Sequence, residues 1–333
     1  MSLEPSDATV SFPRTPLPPA EVHKAAADQV LLAGAARLGE DRFEVAALWP
    51  GDHPLYHADP RGFGDPTLVA ESARQTALHL GHRFHGVERS GERLMILNRI
   101  TVDVTPPGLP HASEEALSVT MDVTSSRTDS RPSRDGDLPR TAMVLDAEFR
   151  IDGVRHARAS VHWTALPARR YAVLRRRNGS TGEVGSPPPG LPPARPLAPE
   201  EVGRRHARDV LLATADGLPE NRWLLTMDRT HPVYFDHESD HIQGMVLLEA
   251  LLQAARTVRL RSPETASHRD VYVSAPRFTV DYAHFGELDQ PVTVTAERGT
   301  APEEGLVLTA VQGGRELVRC ALADDETPEA APR

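Results

Sequence analysis

The chain has one cysteine and one lysine in 333 residues. The lone thiol, Cys320, cannot close an intramolecular disulfide, and no CxxC pair offers a structural zinc motif. That usage fits a reducing cytoplasm. A basic excess is missing as well. The formal net charge is −10, which argues against a general nucleic-acid binder, because such a protein needs a basic face for the polyanion. No apolar run approaches the ~18 residues of a membrane span. The opening MSLEPSDATVSFPRTP brings acids and prolines where a signal peptide needs a basic start and an apolar core. A cytoplasmic protein that meets a small ligand or a protein partner is expected. Lys24, alone among 37 basic residues, reads as a trace of GC-rich coding rather than of function.

What is present is enough apolar content, 39%, to fill two ordinary domains, and a phrase that occurs twice. HPLYHADPRGFGDPTLVAESARQTAL begins at His53, and HPVYFDHESDHIQGMVLLEALLQAAR begins at His231. At a constant offset of 178 no gap is needed from His53 through Asp103. His53, Pro54 and Tyr56 match His231, Pro232 and Tyr234; Glu71 and Gln75 match Glu249 and Gln253; RITVD from Arg99 matches RFTVD from Arg277. Upstream, DQVLLA and RDVLLA correspond after a two-residue slip. A tandem of two long units is a fused dimer, unlike a solenoid of short repeats. The units are placed at 1–175 and 199–325, joined by a Pro/Gly-rich linker at 176–198. A second polar tract, SSRTDSRPSRDGDLPR, is expected to be a loop between strands.

Each unit repeats one grammar. A turn-rich lead-in runs into an apolar helix, about Pro66 to Leu80 and about Gly244 to Leu260, and strand-like runs follow. Asp152-Gly153 and Gly313-Gly314 sit where hairpin turns are needed. One helix followed by an antiparallel meander is an α+β unit. The second helix is apolar nearly all round, so sheet must wrap it. Its polar exceptions, Glu249, Gln253 and Arg256, form one stripe, and Glu71, Arg74 and Gln75 repeat it. A buried glutamate is costly unless it is paired or its pKa rises, and the second outcome suits a general acid or base. The alternative is a purely structural ion pair of Glu71 with Arg74; Leu252 denies Glu249 that partner. His237 and His241 flank Asp240 at a spacing that would suit a metal on a helix. Gly244 and the turn-like DHESD put them in a loop, however, and the first copy has Asp59 and Phe63 there. A catalytic or loop-fixing role is the expectation, with His237 approaching Glu249 or the other unit's glutamate, and no metal. His53 and His231, each before a proline, read as structural.

These paired phrases resemble the motifs of the A-factor synthase (AfsA) family, which makes γ-butyrolactone signalling molecules. HIQGMVLLEALLQ is also similar to the helix start of hot-dog dehydratases, in which a helix glutamate acts with a histidine from the preceding loop. The resemblance implies a tandem, double hot-dog fold, each unit a central buried helix wrapped by an antiparallel sheet. It implies transfer of a 3-oxoacyl group from an acyl carrier protein (or acyl-CoA) thioester to the hydroxyl of dihydroxyacetone phosphate, without a cofactor. Glu71, Glu249, His237 and His241 are then the catalytic candidates. Arg74, Arg256 and Arg277 are the phosphate candidates, Gly244 and Met245 offer backbone donors to an oxyanion, and Gln75 and Gln253 complete the substrate-binding set. The family's second arginine is replaced by Leu252, for which Arg256 or a different acceptor would make up, and the first copy lacks the histidine pair of the second, for which His57 is a substitute, so two unequal sites are expected. The rivals are another hot-dog acyl-thioester enzyme, a dehydratase or thioesterase, and a non-catalytic acyl-ligand binder. The arginine run ARRYAVLRRR is either a carrier-docking patch or a solvated lead to the linker. A monomeric pseudo-dimer or a homodimer is expected.

Overall fold

Strand β5 (Arg140–Ile151) buries every second residue, Thr141, Met143, Leu145, Ala147, Phe149 and Ile151, the period-2 pattern of a sheet with one face against a core. The same pattern runs through a computed structural model that describes residues 11–59, 62–89, 91–106, 108–112, 115–131, 140–177, 193–261, 277–301 and 305–323. In chain order, the first unit comprises β1 (Leu32–Arg37), β2 (Arg42–Trp49), α1 (Thr67–Phe84), β3 (Arg93–Val104), β4 (Leu117–Arg131), β5 and β6 (Val154–Pro167). Helix α2 (Ala168–Arg177) follows, then β7 (Arg195–Pro196), β8 (Leu212–Thr214), β9 (Arg222–Leu225), α3 (Gly244–Arg261), β10 (Arg277–Tyr282), β11 (Val292–Arg298), β12 (Leu306–Gln312) and β13 (Arg315–Leu322).

All the described strands join one sheet in the order β1-β2-β4-β5-β6-β3-β10-β13-β12-β11-β9-β8-β7. The order reads almost the same from either end, as a duplicated unit paired edge to edge must. The seam is the antiparallel β3–β10 ladder, and its centre is Thr101 opposite Thr279, the same residue of each repeat. Their hydroxyls lie 3.2 Å apart. On either side Arg99 meets Asp281 at 2.6 Å and Arg277 meets Asp103 at 2.7 Å. Pairing β3 with β10 removes both edges that would otherwise invite association.

Helices α1 and α3 lie on the inner face. Leu68, Val69, Ala70, Ala73 and Leu80 of α1, and Val246, Leu248, Ala250, Leu251 and Ala254 of α3, are all at most 2% exposed. Each such leucine or valine adds about 1.5–3 kcal/mol by leaving water. Gly81 lets α1 approach the sheet, because a Cβ there would stand 2.9 Å from Met95 Cε and 3.1 Å from Trp163 Cη2. The two predicted hairpins form with positive φ at both turn residues, 51° and 79° at Asp152-Gly153 and 56° and 77° at Gly313-Gly314, the type I′ signature.

Four features differ from the sequence reading. Short strands precede each helix, β1 and β2 before α1 and β7, β8 and β9 before α3, where only a turn-rich lead-in was expected; a four-residue apolar run such as VLLA does not reveal its own conformation. Ser125–Arg131 of the polar tract continue β4 against β5, because a strand with one wet face accepts polar residues; 132–139 of that tract lie outside the described residues. The arginine run is a helix, α2, and of the linker only 176–177 and 193–198 are described, with β7 pairing β8. Helix α1 runs on to Phe84, beyond Leu80.

Candidate functional site

The polar stripe on each buried helix is the centre of a small ionic cluster, and the two clusters obey the repeat. Gln75 and Gln253 occupy equivalent positions and do the same work. The Gln75 amide donates to the Gln29 carbonyl and to Glu71 Oε1, both at 2.8 Å, and accepts from Leu31 N–H at 2.9 Å. Gln253 donates to the Asp209 carbonyl at 2.8 Å and to Glu249 Oε1 at 2.7 Å, and accepts from Leu211 N–H at 2.8 Å. Both glutamines therefore anchor the segment before β1 or β8 and orient the helix carboxylate. Both amide N–H donors of each glutamine are used within the cluster.

In the first cluster Glu71 takes a bidentate pair of hydrogen bonds from Arg74, both 2.8 Å, and Lys24 Nζ stands 3.3 Å away. Burial pushes the Glu71 carboxyl up, but Arg74 and Lys24 outweigh it and hold it well below the usual carboxylate range. The expected rise toward neutrality is thus reversed, because burial arrived together with two cations. In the second cluster Arg204 grips Glu249 at 2.8 and 2.5 Å. It also donates to Asp65 Oδ2 at 2.8 Å and to the Leu55 carbonyl at 3.2 Å, reaching across the seam into the first unit. Arg256 stands 3.7 Å from Glu249 and 3.4 Å from Asp65. Lys24 and Arg204 are equivalents at the two-residue slip. Sequence reasoning missed both, and took the sole lysine for a codon bias.

The clusters differ in what lies beside them. A cavity of about 1140 Å³ is lined by Arg74 and His23 from the first unit, by His237, Ser239, His241, Gly244, Met245 and Leu247 from the second, and by β3, β6 and α2. None of Glu249, Arg204, Asp65 or Arg256 lines it; the first three have side chains only 1–3% exposed. His237 approaches the other unit's glutamate cluster rather than Glu249. Its neighbour Asp236 accepts from Ala25 N–H at 3.0 Å, next to Lys24. His237 Nδ1 and Asp236 Oδ1 are 2.6 Å apart, and the Asp236 side chain is 1% exposed. Burial raises the Asp236 carboxyl, but the bond to His237 and the charge of Lys24 bring it below the usual range. The dyad is therefore a carboxylate holding an imidazole at the cavity wall.

A second dyad, His241 Nδ1 to Asp240 Oδ1 at 2.6 Å, faces the same cavity. Helix α2 holds its loop. Arg175 donates to Glu287 at 2.7 and 2.9 Å, to Asp240 Oδ2 at 3.1 Å and to the Asp240 carbonyl at 2.6 Å, while Tyr171 donates to Asp240 at 3.0 Å. Thus part of the arginine run is a clamp on the loop of the opposite unit.

His23 is a further residue that the sequence did not single out. Its φ of 53° is left-handed, unusual outside glycine, and the equivalent residue is Gly203 with φ 67°. His82 Nδ1 lies 2.7 Å from the Val87 carbonyl and so carries its proton there. His82 Nε2 then accepts from His23 Nε2–H at 2.7 Å, which leaves His23 Nδ1 bare. Desolvation, His82 and Arg74 hold the His23 ring neutral, its pKa brought down to about 4.

The remaining predicted residues are placed as follows. His53 and His231 cap their own loops, each Nδ1 accepting two backbone N–H bonds at 3.1 to 3.2 Å. Arg277 lies on the seam against Asp103, 50% exposed, and does not line the cavity. Gly244 and Met245 open α3 at the cavity, where first-turn N–H groups have no partner within the helix.

A family model described as "A-factor biosynthesis hotdog domain" matches residues 7–167 and 187–321. A protein named 2-oxo-3-(phosphooxy)propyl 3-oxoalkanoate synthase from Streptomyces virginiae is 32% identical over 85% of this chain and 88% of that one. A protein of the same name from Streptomyces coelicolor is 28% identical over 90% and 87%. Among solved structures, a 12:0-ACP thioesterase from Umbellularia californica covers 86% of this chain and 98% of its own, at 11% identity and a TM-score of 0.48. That likeness is loose. No described helix is long and apolar enough to cross a membrane.

Proposed function

The chain belongs to the family of A-factor biosynthesis hotdog domains, and from that premise we propose that it is an acyltransferase joining a 3-oxoacyl group to dihydroxyacetone phosphate. The name its relatives carry describes the ester of a 3-oxo acid with that triose phosphate. Making the ester from a carrier-protein or coenzyme A thioester breaks one C–S bond and forms one C–O bond. The hydroxyl proton leaves with the thiol. The step requires a base, donors for the tetrahedral oxyanion, a cation for phosphate and apolar room for the acyl chain.

The observation that carries this reading is the convergence of all four on one cavity built from both units. His237, oriented by Asp236, takes the hydroxyl proton at Nε2. The Gly244 and Met245 amides at the start of α3 receive the oxyanion. Arg74 binds the phosphate, with the bare Nδ1 of His23 beside it as an acceptor for the triose hydroxyl. Leu94, Ile96, Leu97 and Leu174 line the acyl path. Glu71 is then a positioning residue, an ionised carboxylate that fixes the Arg74 guanidinium, and His241 braces the wall with Tyr171. The Glu249 cluster is the structural counterpart that holds the seam. Exposed Arg170 and Arg176 on α2 offer an acidic carrier protein a landing point beside the cavity, and a cytoplasmic setting supplies both substrates.

The test is the product. Purified chain given a carrier-bound 3-oxoacyl thioester should form the phosphorylated ester, by mass spectrometry, only when dihydroxyacetone phosphate is present. Hydrolysis or dehydration without that acceptor would replace this reading with a thioesterase or dehydratase. Consumption of no thioester under any condition would favour an acyl-ligand binder.

A further inference from the structure

Away from the cavity, the first unit's lead-in loop meets the segment before β8 at three residues with metal-ligating side chains. We infer that His57, His206 and Asp209 form a site for a borderline divalent cation of the zinc class, which ties the two units together. One ligand atom from each residue lies within 4.8 Å of the others, and this is the one such group among the described residues.

Two orphaned atoms point to a ligand. Asp209 is fully buried, and its Oδ1 is held by His231 Nε2 at 3.0 Å, with Arg208 Nε at 3.7 Å. Its Oδ2 is buried and has no hydrogen-bond partner, and neither has the buried Nε2 of His57. Leaving such atoms buried and unsatisfied is costly, and a single cation between them meets both needs. Two imidazoles and one carboxylate are three protein ligands of the type zinc takes, with a further position open. Asp209 is also fixed as a ligand must be. His231 orients its carboxylate, while its carbonyl accepts from Gln253 at 2.8 Å and from Tyr234 at 2.9 Å, the outer support that metal ligands need. His206 is exposed and supplies the movement that brings the donors to the roughly 3.3 Å separations of a tetrahedral zinc shell. Of the nearby cations, Arg204 is already matched by Glu249 and Asp65.

The repeat supplies an independent argument. The equivalents of His57, His206 and Asp209 are Phe235, Ala26 and Gln29. All three differ, none of the three replacements favours a divalent ion, and one atom of the Gln29 backbone is used by Gln75. The ligand types, one from the first unit and two from the second, stand together at one of the two repeat-related junctions and are absent together at the other.

The experiment uses the full chain, stripped with a chelator, titrated with Zn2+ by calorimetry and with Co2+ by visible absorption. One ion per chain is expected, with the intense bands of a low-coordinate Co2+ site. His206→Ala, exposed and therefore tolerated by the fold, should weaken binding at least about tenfold, as should His57→Ala, while His237→Ala in the cavity should leave it unchanged. Absence of saturable binding would overturn the site. So would binding that survives His206→Ala, or that is lost in His237→Ala, which would move the ion to the cavity dyads. None of these readouts depends on the acyl transfer.

Discussion

Arg204→Met removes the guanidinium that hydrogen-bonds two buried carboxylates at once. The variant loses two hydrogen bonds to Glu249, one to Asp65 and one to the Leu55 carbonyl. It leaves side chains that are 1% and 3% exposed with Arg256 as the nearby cation, at 3.7 and 3.4 Å. Breaking a buried pair by deleting one partner costs about 3–5 kcal/mol, against a typical total of 5–15 kcal/mol. In urea, with a slope near 2 kcal/mol per molar, the midpoint should fall by roughly 2 M. The pH dependence has its own signature. In the intact chain burial raises the Asp65 carboxyl, but Arg204 and Arg256 bring it below the usual range. Its contribution is therefore fully present above the unfolded pKa of about 3.9 and is lost as pH falls. Without Arg204 burial dominates, and the folded pKa rises above the unfolded one. The variant should then be more stable at pH 5 than at pH 8, whereas Asp65 makes no such slope in the intact chain. Arg204→Met with Asp65→Asn and Glu249→Gln should recover much of the loss. A single variant within about 1 kcal/mol of the intact chain, with no new slope, would refute the account of this cluster as a seam-holding ion network.

Further perturbations separate the two clusters and the cavity. His237→Asn or Asp236→Asn should lower kcat by about 10²–10⁴-fold, measured as ester formed under saturating substrates, with the folded state intact by circular dichroism. Glu249→Gln should cost stability yet keep most of the turnover of the molecules that remain folded, while Arg74→Leu, which copies Leu252, should raise KM for the triose phosphate. His23→Gly removes a left-handed strain of about 1–2 kcal/mol together with one hydrogen bond of about 0.5–1.5 kcal/mol. Its melting temperature should hardly move while its turnover drops. Arg99→Ala breaks a seam pair that is 47% and 46% exposed, and chemical denaturation should show a loss of no more than about 1 kcal/mol.

How much of this was legible depends on whether a feature was periodic or relational. The duplication, the two buried helices and the hairpins at Asp152-Gly153 and Gly313-Gly314 are local patterns, and the structure repeats them. The seam was half written: RITVD matching RFTVD shows that the strands are equivalent, and pairing them antiparallel puts Thr101 on Thr279. The ionic partners were not local. Arg204 lies 45 residues from Glu249 and 139 from Asp65, so no helical spacing names it. A signal did exist, because HKAAADQVLLA and GRRHARDVLLA place a cation at the same point of each repeat. Codon usage explained the lysine without asking why that one position kept a cation in both halves. The same kind of distance hid Arg175, whose carboxylate partners lie 65 and 112 residues on.

Fusion explains why the two clusters could diverge. In a dimer of identical subunits every substitution falls on both sites, so a residue that seals one cavity seals the other. In one chain the halves are free of that constraint. The first unit's lead-in loop places Asp65 on Arg204 and carries Ala58 and Asp59 where the second unit's loop carries Asp236 and His237. That exchange fills one cluster with a cross-seam ion pair and gives the other a His–Asp dyad on open space. The opened cluster borrows its dyad and its helix start from the second unit and its arginine from the first, so neither half contains a complete site. On the proposed reading, reactivity at the Glu71 side needs the seam that the Glu249 side secures. Separately expressed halves, 1–175 and 199–325, should each lack turnover and regain it only on mixing. Turnover by either half alone would show that the cavity does not depend on both.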